Sequence, residues 1–143
     1  SVAFSPDGKT LACGDNRAIV RLWDVQTGDI LRSIKAGISK DFPRVPSDEK
    51  IGSVVFSPDG KILAGACTDY GFLYGGKVRL WNVQTGKDQQ VLKGYEYRPC
   101  TIAFSPDGKT LAISDSNKKG VPDARVKIWS IKTEDANSKF REK

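Results

Sequence analysis

The chain of 143 residues contains no histidine and no methionine, and it has only three cysteines. Without histidine, the sequence cannot supply the usual general base, the Ser-His-Asp or Cys-His nucleophile pairs, or the commonest metal ligand. Cys13, Cys67 and Cys100 form no C-x-x-C pair. An odd, sparse count suits a reducing compartment, so we expect a cytoplasmic protein whose cysteines are small buried side chains. No apolar run approaches the ~18 residues of a membrane-spanning segment, so no membrane association is predicted.

The charge and composition are typical of a folded domain. Lysine and arginine number 23 against 17 aspartate and glutamate residues, which gives a net charge of +6 at neutral pH. Hydrophobic residues make up 38% of the chain, enough for a core and too many for a disordered tail. Ser1 leads directly into an alternating apolar segment, which indicates a piece of a longer protein, so the sequence carries no information on a targeting signal.

One hexapeptide, FSPDGK, occurs three times without a change, at Phe4–Lys9, Phe56–Lys61 and Phe104–Lys109. Each copy is followed by a Leu-Ala pair and then by a triplet of a basic residue, an apolar residue and tryptophan. The triplets end at Trp23, Trp81 and Trp129. Such self-similarity at a fixed order of motifs predicts a repeat protein.

Within each repeat, the apolar pattern has a period of two and is interrupted by turn signals, which predicts β-strands. In the first repeat we expect strands a to d over Val2–Ser5, Lys9–Asp15, Ile19–Val25 and Asp29–Lys35. The SPDG sequence fits a tight turn, because proline pre-sets φ and glycine accepts a positive φ. Each repeat is therefore predicted to be a four-stranded antiparallel meander with apolar side chains on both faces.

The spacing of the repeats predicts loop insertions. The phenylalanines of the hexapeptides are 52 and 48 residues apart, and subtracting the longer connections leaves a unit of roughly 42 residues. We expect a single partial domain over residues 1–143. Its parts are repeat 1 at about 1–35, an inserted d–a loop at about 36–50, repeat 2 at about 51–94, repeat 3 at about 98–132 and a polar tail at 133–143.

The pattern SPDGK…LA…VRLWDVQTG resembles WD40 repeats over about residues 1–132. The resemblance implies an all-β fold, a partial WD40-type β-propeller of about three four-stranded antiparallel blades. Asp24 completes the Trp-Asp pair in the first blade, and Asn82 and Ser130 replace it later; all three side chains can cap the following turn. Because propellers have about 4–8 blades, we expect the outer faces to be covered by further blades of a parent propeller or by a second copy of the chain.

The sequence departs from the family pattern at the buried hydrogen-bond network around the tryptophan. The Gly-His pair that often precedes strand a in this family is absent, because the chain has no histidine. The aspartate expected six residues before the tryptophan is replaced by Arg17 and Gly75, and only Asp123 matches. We therefore expect this network to be missing.

The insertions and most aromatic residues outside the repeated motifs fall in the b–c and d–a connections, which a meander places at one end of the strands. We predict that this end binds a partner through rigid-scaffold loops rich in tyrosine. The alternative is that these rings fold down and cover the ends of the blades. The predicted partner-binding residues are Phe42, Arg44, Tyr70, Phe72, Tyr74, Tyr95 and Tyr97.

These observations predict a non-catalytic protein–protein interaction or scaffold segment, with no cofactor, no metal and no catalytic residue. The segment Gly71–Lys77 has the spacing of a phosphate loop, but Val78 follows in place of Ser or Thr and a strand is predicted next, so we expect no phosphate site. One alternative is a structural or regulatory propeller segment of a larger enzyme, such as a kinase or protease. Nucleic-acid binding ranks last, because the basic residues form no concentrated stripe.

Overall fold

The computed structural model describes residues 1–36, 50–68, 76–95, 98–115 and 126–131. Eleven β-strands occur in these ranges, and they form three antiparallel sheets. The same ranges contain no helix long and apolar enough to cross a bilayer. The all-β, three-sheet architecture that the sequence predicts is therefore confirmed.

Each sheet is one meander, in which neighbours along the chain are neighbours in the sheet. Blade 1 consists of β1 (Val2–Phe4), β2 (Thr10–Gly14), β3 (Ile19–Asp24) and β4 (Ile30–Lys35). Blade 2 consists of β5 (Lys50–Phe56), β6 (Ile62–Thr68), β7 (Gly76–Asn82) and β8 (Asp88–Tyr95). Blade 3 contains β9 (Pro99–Phe104), β10 (Thr110–Asp115) and β11 (Val126–Ser130).

The strands predicted for the first repeat agree with β1–β4 to within one residue at each end. The agreement follows from the turn residues, which fix where a strand must stop. A fourth strand of blade 3 would fall after Ile131, and those positions lie outside the described residues.

The FSPDGK hexapeptide folds in the same way in all three blades. In blade 2, the Ser57 hydroxyl donates to the Asp59 carboxylate at 2.6 Å and accepts from the Ile62 N–H at 2.9 Å. Asp59 also accepts from the Lys61 N–H at 3.0 Å, and the chain turns at Gly60 with φ +71°. Blades 1 and 3 repeat these bonds with serines 5 and 105 and aspartates 7 and 107.

These hydrogen bonds keep the turn carboxylates ionised. The serine hydroxyl, followed by the lysine N–H, lowers the pKa of Asp7 and of Asp107 below the ordinary value of 3.8. The bond from Ser57 lowers the pKa of Asp59, against an opposing contribution from burial. A charged acceptor makes a stronger hydrogen bond than a neutral one, so the ionised aspartate holds the turn closed.

The c–d turns are capped by the residue that follows the tryptophan. The Asp24 carboxylate accepts from the N–H groups of Gln26 and Thr27, both at 2.8 Å. The Asn82 side-chain oxygen accepts from the Thr85 N–H at 2.8 Å. The predicted capping role is thus confirmed for Asp and Asn, while the residues that Ser130 would cap lie outside the described ranges.

The two faces of each blade have different side chains. Residues directly opposite one another on paired strands share a face. In blade 2 the register places Phe56, Leu63 and Trp81 on one face, which we call the tryptophan face. It places Val55, Ala64 and Leu80 on the other, which we call the alanine face.

The core lies between blades, because each alanine face packs on the tryptophan face of the next blade. The first core cluster joins Ala12, Val20 and Leu22 of blade 1 to Phe56, Leu63 and Trp81 of blade 2. The second joins Ala64, Val78 and Leu80 of blade 2 to Ile102, Leu111 and Ile113 of blade 3. The predicted stacking of blades is therefore observed twice in one chain.

Contacts at the turns repeat from blade to blade as well. A Cβ placed on Gly60 would lie 3.7 Å from Pro6 of the preceding blade, and one on Gly108 would lie 3.5 Å from Pro58. The proline of one FSPDGK turn thus lies beside the glycine of the FSPDGK turn in the next blade. A further contact joins β4 of blade 1 to the c–d turn of blade 2. The Arg32 guanidinium donates to the backbone oxygens of Gln84 and Thr85, at 2.6 and 3.1 Å.

Trp81 fits its site because the neighbouring position is glycine. A Cβ at Gly65 would lie 2.5 Å from the Trp81 ring, closer than real side chains approach. The equivalent positions hold Cys13 in blade 1 and Ile113 in blade 3. The Trp81 N–H is fully buried and has no acceptor among the described residues.

The cysteines only partly match the prediction that all three are buried. Cys67 is buried, Cys13 is half-buried and Cys100 is exposed, and all three are free thiols. Cys13 is less buried than expected because it lies on the tryptophan face of blade 1, which no described blade covers.

We predict that Ser57→Ala lowers the free energy of unfolding by about 1–3 kcal/mol, because it leaves the buried Ile62 N–H without its acceptor. Ser33→Ala is the matched control, since Ser33 is exposed on β4; its expected cost is under about 0.5 kcal/mol. Urea unfolding of the two variants measures the difference. Equal costs would show that the serine hydroxyl does not hold the turn.

Candidate functional site

The two ends of the strands carry different kinds of connection. At one end, all described a–b and c–d connections have five residues; they are 5–9, 25–29, 57–61, 83–87 and 105–109. We call this the turn end. At the other end, which we call the loop end, the connections differ in length; they are 15–18, 36–49, 69–75, 96–98 and 116–125. Length variation is therefore confined to the loop end, as the sequence predicts.

The shortest b–c connection among those at the loop end, in blade 1, is a hydrogen-bonded turn built on Asp15. Its carboxylate accepts from the N–H groups of Arg17 and Ile19 at 2.8 and 3.0 Å, and from the Arg21 guanidinium at 3.0 Å. Burial raises the pKa of Asp15, but these three donors outweigh it and the net pKa is lowered. Ala18 completes the turn with φ +55°, an uncommon backbone conformation for a residue other than glycine.

Tyr95, at the end of β8, is the one predicted partner-binding residue within the described ranges. Its side chain is only 5% exposed and belongs to the core cluster between blades 2 and 3. The Lys127 ammonium lies 5.2 Å from the centre of its ring, and it also donates to the Gly94 backbone oxygen at 2.8 Å. Tyr95 therefore covers the end of the blade, which is the alternative that the sequence analysis left open, and its ring is not an exposed anchor.

The other predicted binding residues have no described position. They are Phe42, Arg44, Tyr70, Phe72, Tyr74 and Tyr97, and all lie outside the described residues. The strands that flank them are described, and these strands all end at the loop end. Their assignment to partner binding stays a prediction.

The loop end presents several basic side chains. Arg17, Lys35, Lys93 and Arg98 are exposed there, and Lys50 and Lys77 are half-buried. Asp15 lies at the same end, and its carboxylate is already paired with the Arg21 guanidinium. The described part of the loop end therefore has basic side chains that are accessible to an acidic surface.

The basic residue two positions before each tryptophan has a local partner. The pairs are Arg21 with Asp15 at 3.0 Å, Arg79 with Asp88 at 2.9 Å and Lys127 with the Gly94 oxygen at 2.8 Å. The repeat pattern does not predict these partners, because they depend on which residue occupies the start of strand d or the loop end of the blade.

The repeats match the family model described as WD domain, G-beta repeat, over residues 1–24, 44–82 and 86–130. The chain therefore belongs to the WD40 repeat family, and its three sheets are blades of a β-propeller fold. WD40 domains are generally non-catalytic and bind other proteins.

Curated relatives include proteins that are much longer than this chain. Apoptotic protease-activating factor 1 of Rattus norvegicus is 38% identical over 62% of this chain and 6% of its own length. Periodic tryptophan protein 2 homolog of Schizosaccharomyces pombe is 34% identical over 66% of this chain and 9% of its own length. WD repeat-containing protein 82 of Drosophila melanogaster is 33% identical over 64% of this chain and 25% of its own length. The chain thus spans a quarter or less of these relatives.

We predict that Tyr95→Ala lowers the free energy of unfolding by about 3 kcal/mol, because it removes a buried ring from the core between blades 2 and 3. Tyr95→Phe keeps the ring and is the matched control, so its loss should be much smaller than that of Tyr95→Ala. Thermal and urea unfolding measure both variants. An unchanged unfolding midpoint for Tyr95→Ala would mean that the ring does not support the blades.

Proposed function

We propose that this chain is a non-catalytic interaction segment that recognises a protein partner through its loop end. The observation that carries the proposal is the difference between the two ends of the strands. The connections between described strands at the turn end all have five residues, whereas those at the loop end differ in length. A rigid scaffold that carries variable loops on one side is the usual arrangement of a binding surface.

The residue composition of these variable connections also favours the loop end as the binding surface. Five aromatic residues and one arginine of the predicted set remain candidate anchors once Tyr95 is assigned to the core. Tyrosine and arginine are enriched among the residues that contribute most to protein interfaces. The anchors that we propose are Phe42, Arg44, Tyr70, Phe72, Tyr74 and Tyr97.

The exposed basic residues around the loop end supply a second property of the partner. Arg17, Lys35 and Lys93 are exposed beside the strand ends from which the variable connections leave. Complementary charge raises association rates more than it raises affinity. The proposed partner surface is therefore an acidic one with pockets for aromatic side chains.

A second candidate is a structural or regulatory propeller segment within a larger enzyme or enzyme-activating protein. The similarity to apoptotic protease-activating factor 1, whose name describes protease activation, favours this candidate. In that case, the loop end contacts other domains of the same protein.

A cytoplasmic location, suggested by three free cysteines, also stays a prediction.

We predict that the double variant Tyr70→Ala/Tyr74→Ala weakens binding of the partner by about 2–4 kcal/mol and leaves the unfolding midpoint unchanged, because exposed anchors contribute to the complex and not to the blade. The measurement is affinity purification with the chain as bait, followed by titration of the partner that it retains. The tyrosine double variant and the control variant described below are each compared with the unmodified chain.

The control is Gln26→Ala/Gln84→Ala, which removes two exposed side chains at the turn end. It should retain the partner fully. Equal loss in both double variants would contradict recognition by the loop end. A collapse of thermal stability in the tyrosine variant would show that those rings cover the blades as Tyr95 does.

A further inference from the structure

The chain contains three Asp-Gly sequences, and each of them belongs to an FSPDGK turn. They are Asp7–Gly8, Asp59–Gly60 and Asp107–Gly108. All three aspartates are exposed at the turn end of the blades. Glycine after aspartate is a reactive combination, because glycine has no Cβ to hinder the approach of its backbone nitrogen to the aspartate side chain. Each hexapeptide therefore contains two groups that can react with each other.

The reaction is cyclisation of the aspartyl residue, followed by opening of the ring by water. The glycine nitrogen attacks the side-chain carbon Cγ and loses its proton, and the hydroxyl of the protonated carboxyl leaves with that proton as water. The product is a five-membered succinimide. Solvent water then adds to one of the two ring carbonyls. When it adds to the main-chain carbonyl, the chain continues through Cγ, and an isoaspartyl linkage of unchanged mass results.

In blade 2, one residue, Ser57, holds both reacting groups. Its hydroxyl donates to Asp59 Oδ1 at 2.6 Å, and its backbone oxygen accepts from the Gly60 N–H at 2.8 Å. The Lys61 N–H donates to the same carboxylate oxygen at 3.0 Å. While these bonds persist, the Gly60 proton is engaged and the carboxylate is fixed. Ring closure therefore requires the turn to open.

The other two turns repeat this arrangement. The Ser105 hydroxyl donates to the Asp107 carboxylate at 2.6 Å, and the Ser105 backbone oxygen accepts from the Gly108 N–H at 2.9 Å. Ser5 makes the same two bonds in blade 1. All of these bonds lie within one hexapeptide, so they do not depend on which blade precedes or follows it.

The ionisation of the turn aspartates acts in the same direction. The serine hydrogen bond lowers the pKa of Asp59 and of Asp107, so both carboxyls are ionised at neutral pH. Cyclisation needs the protonated carboxyl, because its hydroxyl leaves as water. The same serine thus fixes the carboxyl in place and keeps it in the form that does not cyclise.

We propose that the three aspartates of the FSPDGK turns are latent isoaspartate sites, and that the serine of each hexapeptide prevents their conversion while the blade is folded. Opening of the turn releases the glycine N–H and the carboxyl together, since one serine holds both. An isoaspartyl residue adds one carbon atom to the main chain, so the original turn cannot form again. A blade that has opened is thereby marked with an L-isoaspartyl residue, the substrate class of enzymes that methylate isoaspartyl carboxylates. This inference concerns the turn end and is separate from the proposed partner recognition at the loop end.

The first experiment compares the folded chain with the chain unfolded in guanidinium chloride, both incubated at neutral pH. Electron-transfer fragmentation in a mass spectrometer distinguishes isoaspartyl from aspartyl peptides. Because the residues before the hexapeptides differ, the three turns give distinct tryptic peptides and are measured separately. In the unfolded chain the three sites should convert at equal rates, since the hexapeptides are identical. In the folded chain all three should convert much more slowly.

The second experiment tests the serine hydroxyl with Ser57→Ala. This variant should raise the ratio of conversion at Asp59 to conversion at Asp107 at least about fivefold, because a bond that fixes the Asp59 carboxylate is lost. Ser105→Ala is the matched variant and should lower the same ratio by a similar factor. Each variant thus has an internal control, since a general loss of stability raises both rates together and leaves the ratio unchanged.

Circular dichroism checks that each variant is folded. If Ser57→Ala does not fold, both sites will convert at the unfolded rate, and Ser105→Ala, at a half-buried position, then decides. Three results would overturn the proposal. Equal rates in the folded and unfolded chains would show that the turn gives no protection. Absence of isoaspartate in the unfolded chain would show that these aspartates are not modification sites. A ratio that a folded serine variant leaves unchanged would assign the protection to the blade as a whole and not to the serine.

Discussion

Burial between neighbouring blades is the interaction on which the rest of this structure depends. A four-stranded sheet with apolar side chains on both faces has no core of its own, and it must cover each face with another layer. Here the middle blade is covered on both sides, and its Leu63 and Trp81 are fully buried. Val2 of blade 1 and Val126 of blade 3 remain exposed, because each lies on the side that no described blade covers.

The repeated turn makes this stacking regular. The same hydrogen bond, from the serine hydroxyl to the aspartate carboxylate, closes each a–b turn. The three turns therefore have the same shape. Because the turns have the same shape, the proline of one turn lies beside the glycine of the turn in the next blade. Contacts at the turn end repeat from blade to blade, whereas the connections at the loop end differ in length. The location of the proposed binding surface is thus a consequence of the packing.

Local signals allowed most of the fold to be predicted from the sequence. Proline and glycine of the SPDG turn fix the limits of β1 and β2, and Asp24 caps the next turn through its own side chain. Features that depend on two blades were harder to predict. Trp81 lies on Gly65, and no pattern within a single repeat indicates that a tryptophan needs glycine there. Arg79 pairs with Asp88, whereas blade 1 has Ile30 at that position, and Arg21 pairs with Asp15 instead.

Tyr95 illustrates the same division within the candidate site. Its place after strand d predicted an aromatic residue at the loop end, and the described position agrees. Whether the ring points outward or into the core depends on the next blade, which supplies the Lys127 ammonium and the apolar side chains around it. Sequence spacing can therefore assign an aromatic residue to an end of the propeller, and only the packing of two blades decides its exposure.

The most direct test of this account compares Phe4→Ala with Phe56→Ala by urea unfolding, at a concentration where the chain is monomeric. The two residues begin identical hexapeptides, and they differ in exposure, at 64% against 6%. If neighbouring blades supply the burial, Phe56→Ala should cost about 3–5 kcal/mol and Phe4→Ala under about 1 kcal/mol. Equal costs would mean that each blade holds its phenylalanine by itself, and they would contradict the dependence on stacking.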